Sequence, residues 1–202
     1  MMTNTVDYYI ATSSPWTYLA TPRLKKLAEK YNLIINWKPF NIMEVFAKNG
    51  TALVKDRPKP VQINRLNELE RWREHLNMPL TLGPKYFPVD ITLSQKIIIC
   101  CQNNNINPYD IAFSFMKSVW ADEKDISNEN TIKEVCRDCN LDGNSIIKQA
   151  SEAVINDKYI KNTEDAIKNN VWGAPTFILD KELFWGQDRL DFLERKIQSI
   201  LN

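Results

Sequence analysis

Apolar and polar positions follow two different periods along the chain. The run Val6-Asp7-Tyr8-Tyr9-Ile10 is short and apolar, and it predicts a strand over residues 6–10. From Pro15 the spacing lengthens, with Trp16, Leu19, Ala20, Leu24, Leu27, Ala28 and Tyr31 at helical intervals. Pro22 falls inside that helix and is expected to kink or restart it, with Thr21 as a local cap. Residues 33–37 predict a second strand and complete a βαβ unit. Residues 49–60, rich in Lys, Pro and Arg, read as a mobile loop overhanging one end of that unit.

Between residues 64 and 170 the strand signal nearly vanishes. Helical patterns occupy 64–76, 91–104, 108–120, 128–139, 143–155 and 158–170, separated by turn material such as Asp142-Gly143-Asn144. The C-terminal part returns to strands. Residues 172–179 read as a loop entering a strand through Pro175, and residues 182–190 as a strand, a glycine turn and a final helix. The pattern is therefore α/β: a discontinuous domain over 1–62 and 171–202, interrupted by a helical block over 63–170.

Composition narrows the function classes. A chain of 202 residues buries a core without covalent staples. A net charge of +1 argues against nucleic acid or a membrane surface as the main partner. The N-terminal residues carry neither a basic region nor a long apolar run, and no stretch approaches the roughly 18 apolar residues of a bilayer span, so a cytoplasmic protein is expected. The four cysteines fit a reducing compartment. Cys100 and Cys101 lie in an apolar run; Cys136 and Cys139 end a helical pattern and lack a second ligand pair, so no metal site is expected. His75, the one histidine, reads as an exposed helical residue.

Candidate chemistry collects at two ends of the sequence. Ser14-Pro15-Trp16-Thr17 sits where the first strand turns into the first helix. Ser14 suits an N-cap and Pro15 the first helical position, while the free N–H groups of that terminus favour an anion such as a thiolate. Near the other end stand Gly173-Ala174-Pro175-Thr176-Phe177 and Phe184-Trp185-Gly186-Gln187-Asp188-Arg189-Leu190. The plain reading makes Ser14 a helix cap, Pro175 a strand-edge proline and Asp188 the cap of the last helix.

Together with Ser13-Ser14-Pro15-Trp16-Thr17-Tyr18-Leu19-Ala20 and Asn36-Trp37-Lys38-Pro39-Phe40, those segments resemble the 2-hydroxychromene-2-carboxylate isomerases. That family stands with the kappa-class glutathione transferases in the DsbA-like branch of the thioredoxin fold, and the resemblance spans roughly residues 6–200. It implies a cis Pro175 facing the first helix and glutathione as the cofactor. It also implies that the Ser14 hydroxyl donates to the glutathione sulfur and stabilises the thiolate. Ala174 would pair its backbone with the cysteinyl residue. Pro175, Trp185, Gly186, Gln187 and Asp188 would complete the site, with Asp188 on the γ-glutamyl amine and Gln187 on its carboxylate.

Further residues enter by the same resemblance. Glu68 stands where the family has an aspartate reaching glutathione from a partner subunit, which implies a homodimer. Lys59 is the nearest stand-in for a basic residue whose position Val61 occupies. Trp16, Lys48, Tyr86 and Trp172 are candidates for a pocket holding a small aromatic or electrophilic second substrate. A thiol-disulfide oxidoreductase is excluded on chemistry, because neither Ser14 nor Thr17 is cysteine. The segment Trp185-Gly186-Gln187-Asp188-Arg189 and the single-domain length resemble the isomerase branch, so a glutathione-dependent isomerase is expected, with a kappa-class-like transferase or a non-catalytic binding module as the alternatives.

Overall fold

Both faces of the first strand are covered, which is why its alternation is incomplete. In the computed structural model, which describes residues 4–201, β1 (Thr5–Ile10) has Val6, Tyr8, Tyr9 and Ile10 fully buried. Tyr8 stacks on Phe177 at 5.1 Å and meets the edge of Trp37 at 5.2 Å, while Tyr9 points the other way onto Phe40. Residues 1–3, which bear on the expectation about an N-terminal signal, and residue 202 lie outside the described residues.

After β1 come α1 (Pro15–Tyr31), β2 (Ile34–Pro39), α2 (Ile42–Asn49) and α3 (Lys59–Leu76). Then follow α4 (Thr92–Asn103), α5 (Tyr109–Trp120), α6 (Glu129–Asp138), α7 (Gly143–Ala150) and α8 (Ala153–Lys168). The chain closes with β3 (Thr176–Leu179), β4 (Glu182–Trp185) and α9 (Leu190–Leu201). The four strands form one sheet in the order β2-β1-β3-β4, with β1 parallel to β2 and antiparallel to β3. The parallel pair needs a crossover, which α1 supplies. This is the DsbA-like thioredoxin architecture that the sequence leads one to expect.

The helical block grips the sheet through side-chain amides. The Gln95 amide on α4 donates to the Ile10 carbonyl at 2.9 Å and the Phe40 carbonyl at 3.1 Å, holding the ends of β1 and β2 together. Gln102, two turns on, accepts the Trp37 N–H at 2.8 Å. Such fully buried or half-buried polar contacts fix one register rather than many.

The elements differ from the expectations in several places. The first helix does not restart at Pro22: it runs unbroken to Tyr31. The proline removes one N–H, but Leu19, Ala20 and Leu24 are buried on either side and hold the helix in place. Thr21 is not a cap; its hydroxyl donates to the Thr17 carbonyl at 2.7 Å and bonds the Tyr8 hydroxyl at 2.8 Å. A helix over Ile42–Asn49 escapes the periodicity, although Asn41 caps it by accepting the Glu44 N–H and Gly50 ends it at φ +67°.

The following stretch is not a plain loop. It holds a 3-10 turn at Val54–Asp56, and α3 begins at Lys59 rather than residue 64. Pro60 lies in the first turn of α3, where a missing N–H costs nothing. The Gln62 amide ties the segment down by donating to the Lys55 and Arg57 carbonyls. Lastly, α7 and α8 divide at residues 151–152, earlier than the pattern predicts.

Candidate functional site

The corner between β1 and α1 is built by Ser14. Its backbone is extended, at φ −87° and ψ 121°, and its N–H donates to the Ala11 carbonyl at 2.9 Å. The hydroxyl accepts the Thr17 N–H at 3.2 Å, an ordinary N-cap contact. It also donates to the Ala174 carbonyl at 3.0 Å. Ser14 is 8% exposed, so both contacts lie out of bulk water. Beside it, the indole N–H of Trp120 donates to the Ser13 carbonyl at 3.2 Å. The Thr17 hydroxyl oxygen is buried without a partner among the described residues.

The loop facing that corner is held from both sides. The Ala174–Pro175 bond is cis, and the Thr176 hydroxyl donates to the Gly173 carbonyl at 2.7 Å. The Pro175 carbonyl accepts the Gly186 N–H at 2.9 Å. The Ala174 N–H has no partner among the described residues, an orphan donor next to a carbonyl already engaged by Ser14. Gly186 sits at φ +105°, where a side chain is strained, and a Cβ there would lie 2.6 Å from the Asp188 carboxylate. Gly173 lies under the Trp185 indole, whose Nε1 is 2.5 Å from where its Cβ would be.

Gln187 is 2% exposed and held by a residue the sequence reading overlooked. One nitrogen of the Arg23 guanidinium, Nη1, donates to the Gln187 carbonyl at 2.9 Å and to its Oε1 at 2.7 Å. The amide oxygen is thereby used, and Nε2 is left as a donor suited to a carboxylate. Burial lowers the pKa of Arg23, partly offset by Asp191 and Asp188. The plain reading of Asp188 as a helix cap fails: a 3-10 turn, Gln187–Arg189, precedes α9, and the carboxylate accepts from Arg189 at 2.7 Å.

The remaining candidates lie on several different elements. Trp16 is half-buried in the first turn of α1. Lys48 is exposed in the last turn of α2, beside Asn49, whose amide donates to the Val171 carbonyl at 3.1 Å. Tyr86 lies under the Lys85 ammonium at 4.8 Å. Lys59 is exposed at the start of α3, and the Glu68 carboxylate is taken by Arg71 of the same helix. A surface cleft of about 730 Å³ lies between β4 and α9, walled by Trp172, Trp185 and Phe192. Trp172 and Trp185 meet there at 5.3 Å; Trp16, Lys48, Tyr86 and Ser14 are not among the residues that line this cleft.

His75 is exposed and contacts the Trp72 ring edge-on at 5.5 Å. All four thiols are free, and burial pushes Cys101 and Cys136 up to about 12. No metal-holding cluster of His, Cys, Asp and Glu occurs among the described residues, and no helix among them is long and apolar enough to cross a membrane.

Residues 5–198 match the family described as the DSBA-like thioredoxin domain. The chain is 29% identical to 2-hydroxychromene-2-carboxylate isomerase from Sphingobium xenophagum, over 96% of this chain and 97% of that protein. It is 22% identical to glutathione S-transferase kappa 2 from Caenorhabditis elegans, over 93% and 91% of the two chains. Among solved structures, a 2-hydroxychromene-2-carboxylate isomerase superposes with a TM-score of 0.84 at 25% identity, covering 98% of this chain and 96% of the other.

Proposed function

The chain belongs to the DSBA-like thioredoxin domain family, and from that premise we propose that it is a glutathione-dependent isomerase of the 2-hydroxychromene-2-carboxylate isomerase type. The observation that carries this reading is the bond from the Ser14 hydroxyl to the Ala174 carbonyl, which joins the capped helix to the cis-proline loop. The relatives are named as isomerases and a glutathione transferase, and their likeness runs over nearly the full length of the chain.

The residues present fit glutathione. The orphan Ala174 N–H suits a peptide carbonyl, the Gln187 Nε2 suits a carboxylate, and Asp188 suits an ammonium. Bound glutathione supplies a thiol whose ionised form is a nucleophile. Ser14 has one hydroxyl proton, now committed to Ala174. Turning it toward a sulfur frees the Ala174 carbonyl to accept a ligand N–H, so neither group is left unpaired. The Thr17 N–H stays on the Ser14 oxygen and polarises the hydroxyl, and the dipole of α1 favours negative charge at the same point. Ser14 is thus an activator and not a covalent nucleophile: its hydroxyl bonds the Ala174 carbonyl and the Thr17 N–H, and the Ser13–Thr17 segment holds no base.

A kappa-type transferase acting on small electrophiles would use the same residues in the same roles, and the kappa relative supports it as the second reading. We infer a cytoplasmic homodimer. Val61, Ile63 and Leu66 are exposed on α3, the helix that carries Glu68, and a second copy would cover them. A monomer mass by light scattering at micromolar concentration would remove Glu68 from the site.

The test combines glutathione binding with turnover. Glutathione at about a hundred times its dissociation constant should stabilise the fold by about 2.7 kcal/mol in a thermal scan. Isomerisation of 2-hydroxychromene-2-carboxylate should then depend on glutathione, whereas conjugation of chlorodinitrobenzene without isomerisation would favour the transferase. A thermal shift with neither activity would make the chain a binding module, and no shift would remove glutathione altogether.

A further inference from the structure

Arg65, in the second turn of α3, is a half-buried cation with no carboxylate. Its guanidinium carbon lies 5.7 Å from the centre of the Phe87 ring and 5.9 Å from that of Trp120. The other arginines of the helix are paired, Arg71 with Glu68 and Arg73 with Glu70. Arg65 makes no ion pair or hydrogen bond among the described residues. The charge that acts on it is another cation, Arg57, whose Nε donates to the Ala52 carbonyl at 3.2 Å. Burial first, then Arg57, hold the Arg65 pKa down to about 10.

A half-buried guanidinium that feels a second cation and has no carboxylate is unfavourable unless an anion completes the site. Ring contact uses the face of a guanidinium and leaves its five N–H donors at the edge, in the fork that matches a carboxylate. The location is also telling. Trp120, which packs under Arg65, is the residue whose indole N–H holds the Ser13 carbonyl, one position before the Ser14 cap. Phe87 and Tyr86 beside it are only half-buried, so apolar ring surface adjoins the cation.

We propose that Arg65, assisted by Arg57, forms the subsite for the carboxylate of an aromatic-acid second substrate. Its side chain would fix the acid against the Tyr86–Phe87 segment, beside the α1 corner. This rests on the reading of that corner as the reacting centre. The residue sets specificity by charge, so it separates acidic aromatic substrates from neutral electrophiles of the same size.

The experiment measures binding without turnover. Salicylate and phenol are titrated against the protein by tryptophan fluorescence in the absence of glutathione, and glutathione is titrated separately. Arg65→Met, which keeps an apolar stem, should weaken salicylate roughly tenfold or more and leave phenol and glutathione unchanged. Arg65→Lys should recover part of the loss. For the wild-type protein, salicylate affinity should fall with added salt while phenol affinity stays constant; this arm holds even if the methionine variant does not fold. Absence of salicylate binding to the wild type, or unchanged salicylate affinity in Arg65→Met, overturns the proposal. Equal weakening of phenol and salicylate assigns Arg65 to packing, and weakening of glutathione assigns it to the tripeptide; either result also overturns it. Failure of glutathione to bind at all leaves the salicylate result standing by itself.

Discussion

Ser14 and Ala174 stand 160 residues apart in the chain and 3.0 Å apart in space, hydroxyl to carbonyl. The same oxygen accepts the Thr17 N–H, so one small side chain closes the start of α1 and moors the loop that leads into β3. A cap needs only the first contact. The second ties the helix terminus to the backbone that would hold a peptide ligand.

Replacing Ser14 by alanine removes both contacts. The fold should lose about 1–2 kcal/mol, the usual worth of an N-cap with one further buried bond. Glutathione-dependent turnover should fall roughly ten- to more than a hundredfold, because a hydrogen bond to a charged sulfur is worth about 1.5–3 kcal/mol. Glutathione should still bind, and its thiol pKa, followed by thiolate absorbance against pH, should rise. Unchanged turnover and thiol pKa would return Ser14 to the role of a helix cap.

Arg23→Met should strike the other end of the site. It strips the Gln187 carbonyl and Oε1 of their shared donor in a place that is 2% exposed. We expect a stability loss of about 1–3 kcal/mol and weaker glutathione binding by calorimetry, with cysteinylglycine, which lacks the γ-glutamyl group, bound as before. Equal weakening of both ligands would mean that Arg23 supports the fold and not the γ-glutamyl end.

The two glycines near Trp185 should respond differently to a methyl group. In Gly173→Ala the new Cβ meets the Trp185 indole nitrogen at 2.5 Å, so the side chain must swing away and tryptophan emission should shift. Gly186→Ala meets a carboxylate oxygen at 2.6 Å while also straining a backbone at φ +105°. That variant should lose more stability, about 1–3 kcal/mol. Urea denaturation that ranks Gly173→Ala as the more damaging would contradict this account of the turn.

The thiols should be slow. Burial raises Cys101 and Cys136 to about 12 and Cys100 to about 11. At pH 8 a thiol of pKa 12 is ionised in about one molecule in ten thousand, against about one in ten for a thiol of pKa 9. Ellman's reagent should therefore label the native protein far more slowly than the urea-unfolded chain, and the difference should narrow as pH rises toward 12. Rapid release of four equivalents from native protein would sink the structural reading of the Cys136–Cys139 pair.

The elements with long apolar stripes were legible from the residues alone, and so was the polar corner at Ser14. What escaped were features that depend on distant partners. Ile42–Asn49 is too short for its period to show, and Pro60 looks like loop material until the first turn of α3 forms around it. Pro22 breaks a helix in isolation but not one clamped by Leu19 and Leu24. Nothing in the spacing of the sequence marks Arg23 or Arg65. Only folding brings Arg23 to Gln187, 164 positions later, and sets Arg65 over Trp120.

The strand order has a bearing on how the protein is made. β1 is central, yet its antiparallel partner β3 begins at Thr176, after about seven-eighths of the chain. Contacts this far apart in sequence slow folding, and during synthesis they wait on the last segment to leave the ribosome. A nascent chain can therefore carry Ser14 on a helix, with its helical block largely built, and still have no carbonyl opposite it. On the proposed function, thiol activation would begin only in finished molecules, and a chain truncated before Ala174 would lack it.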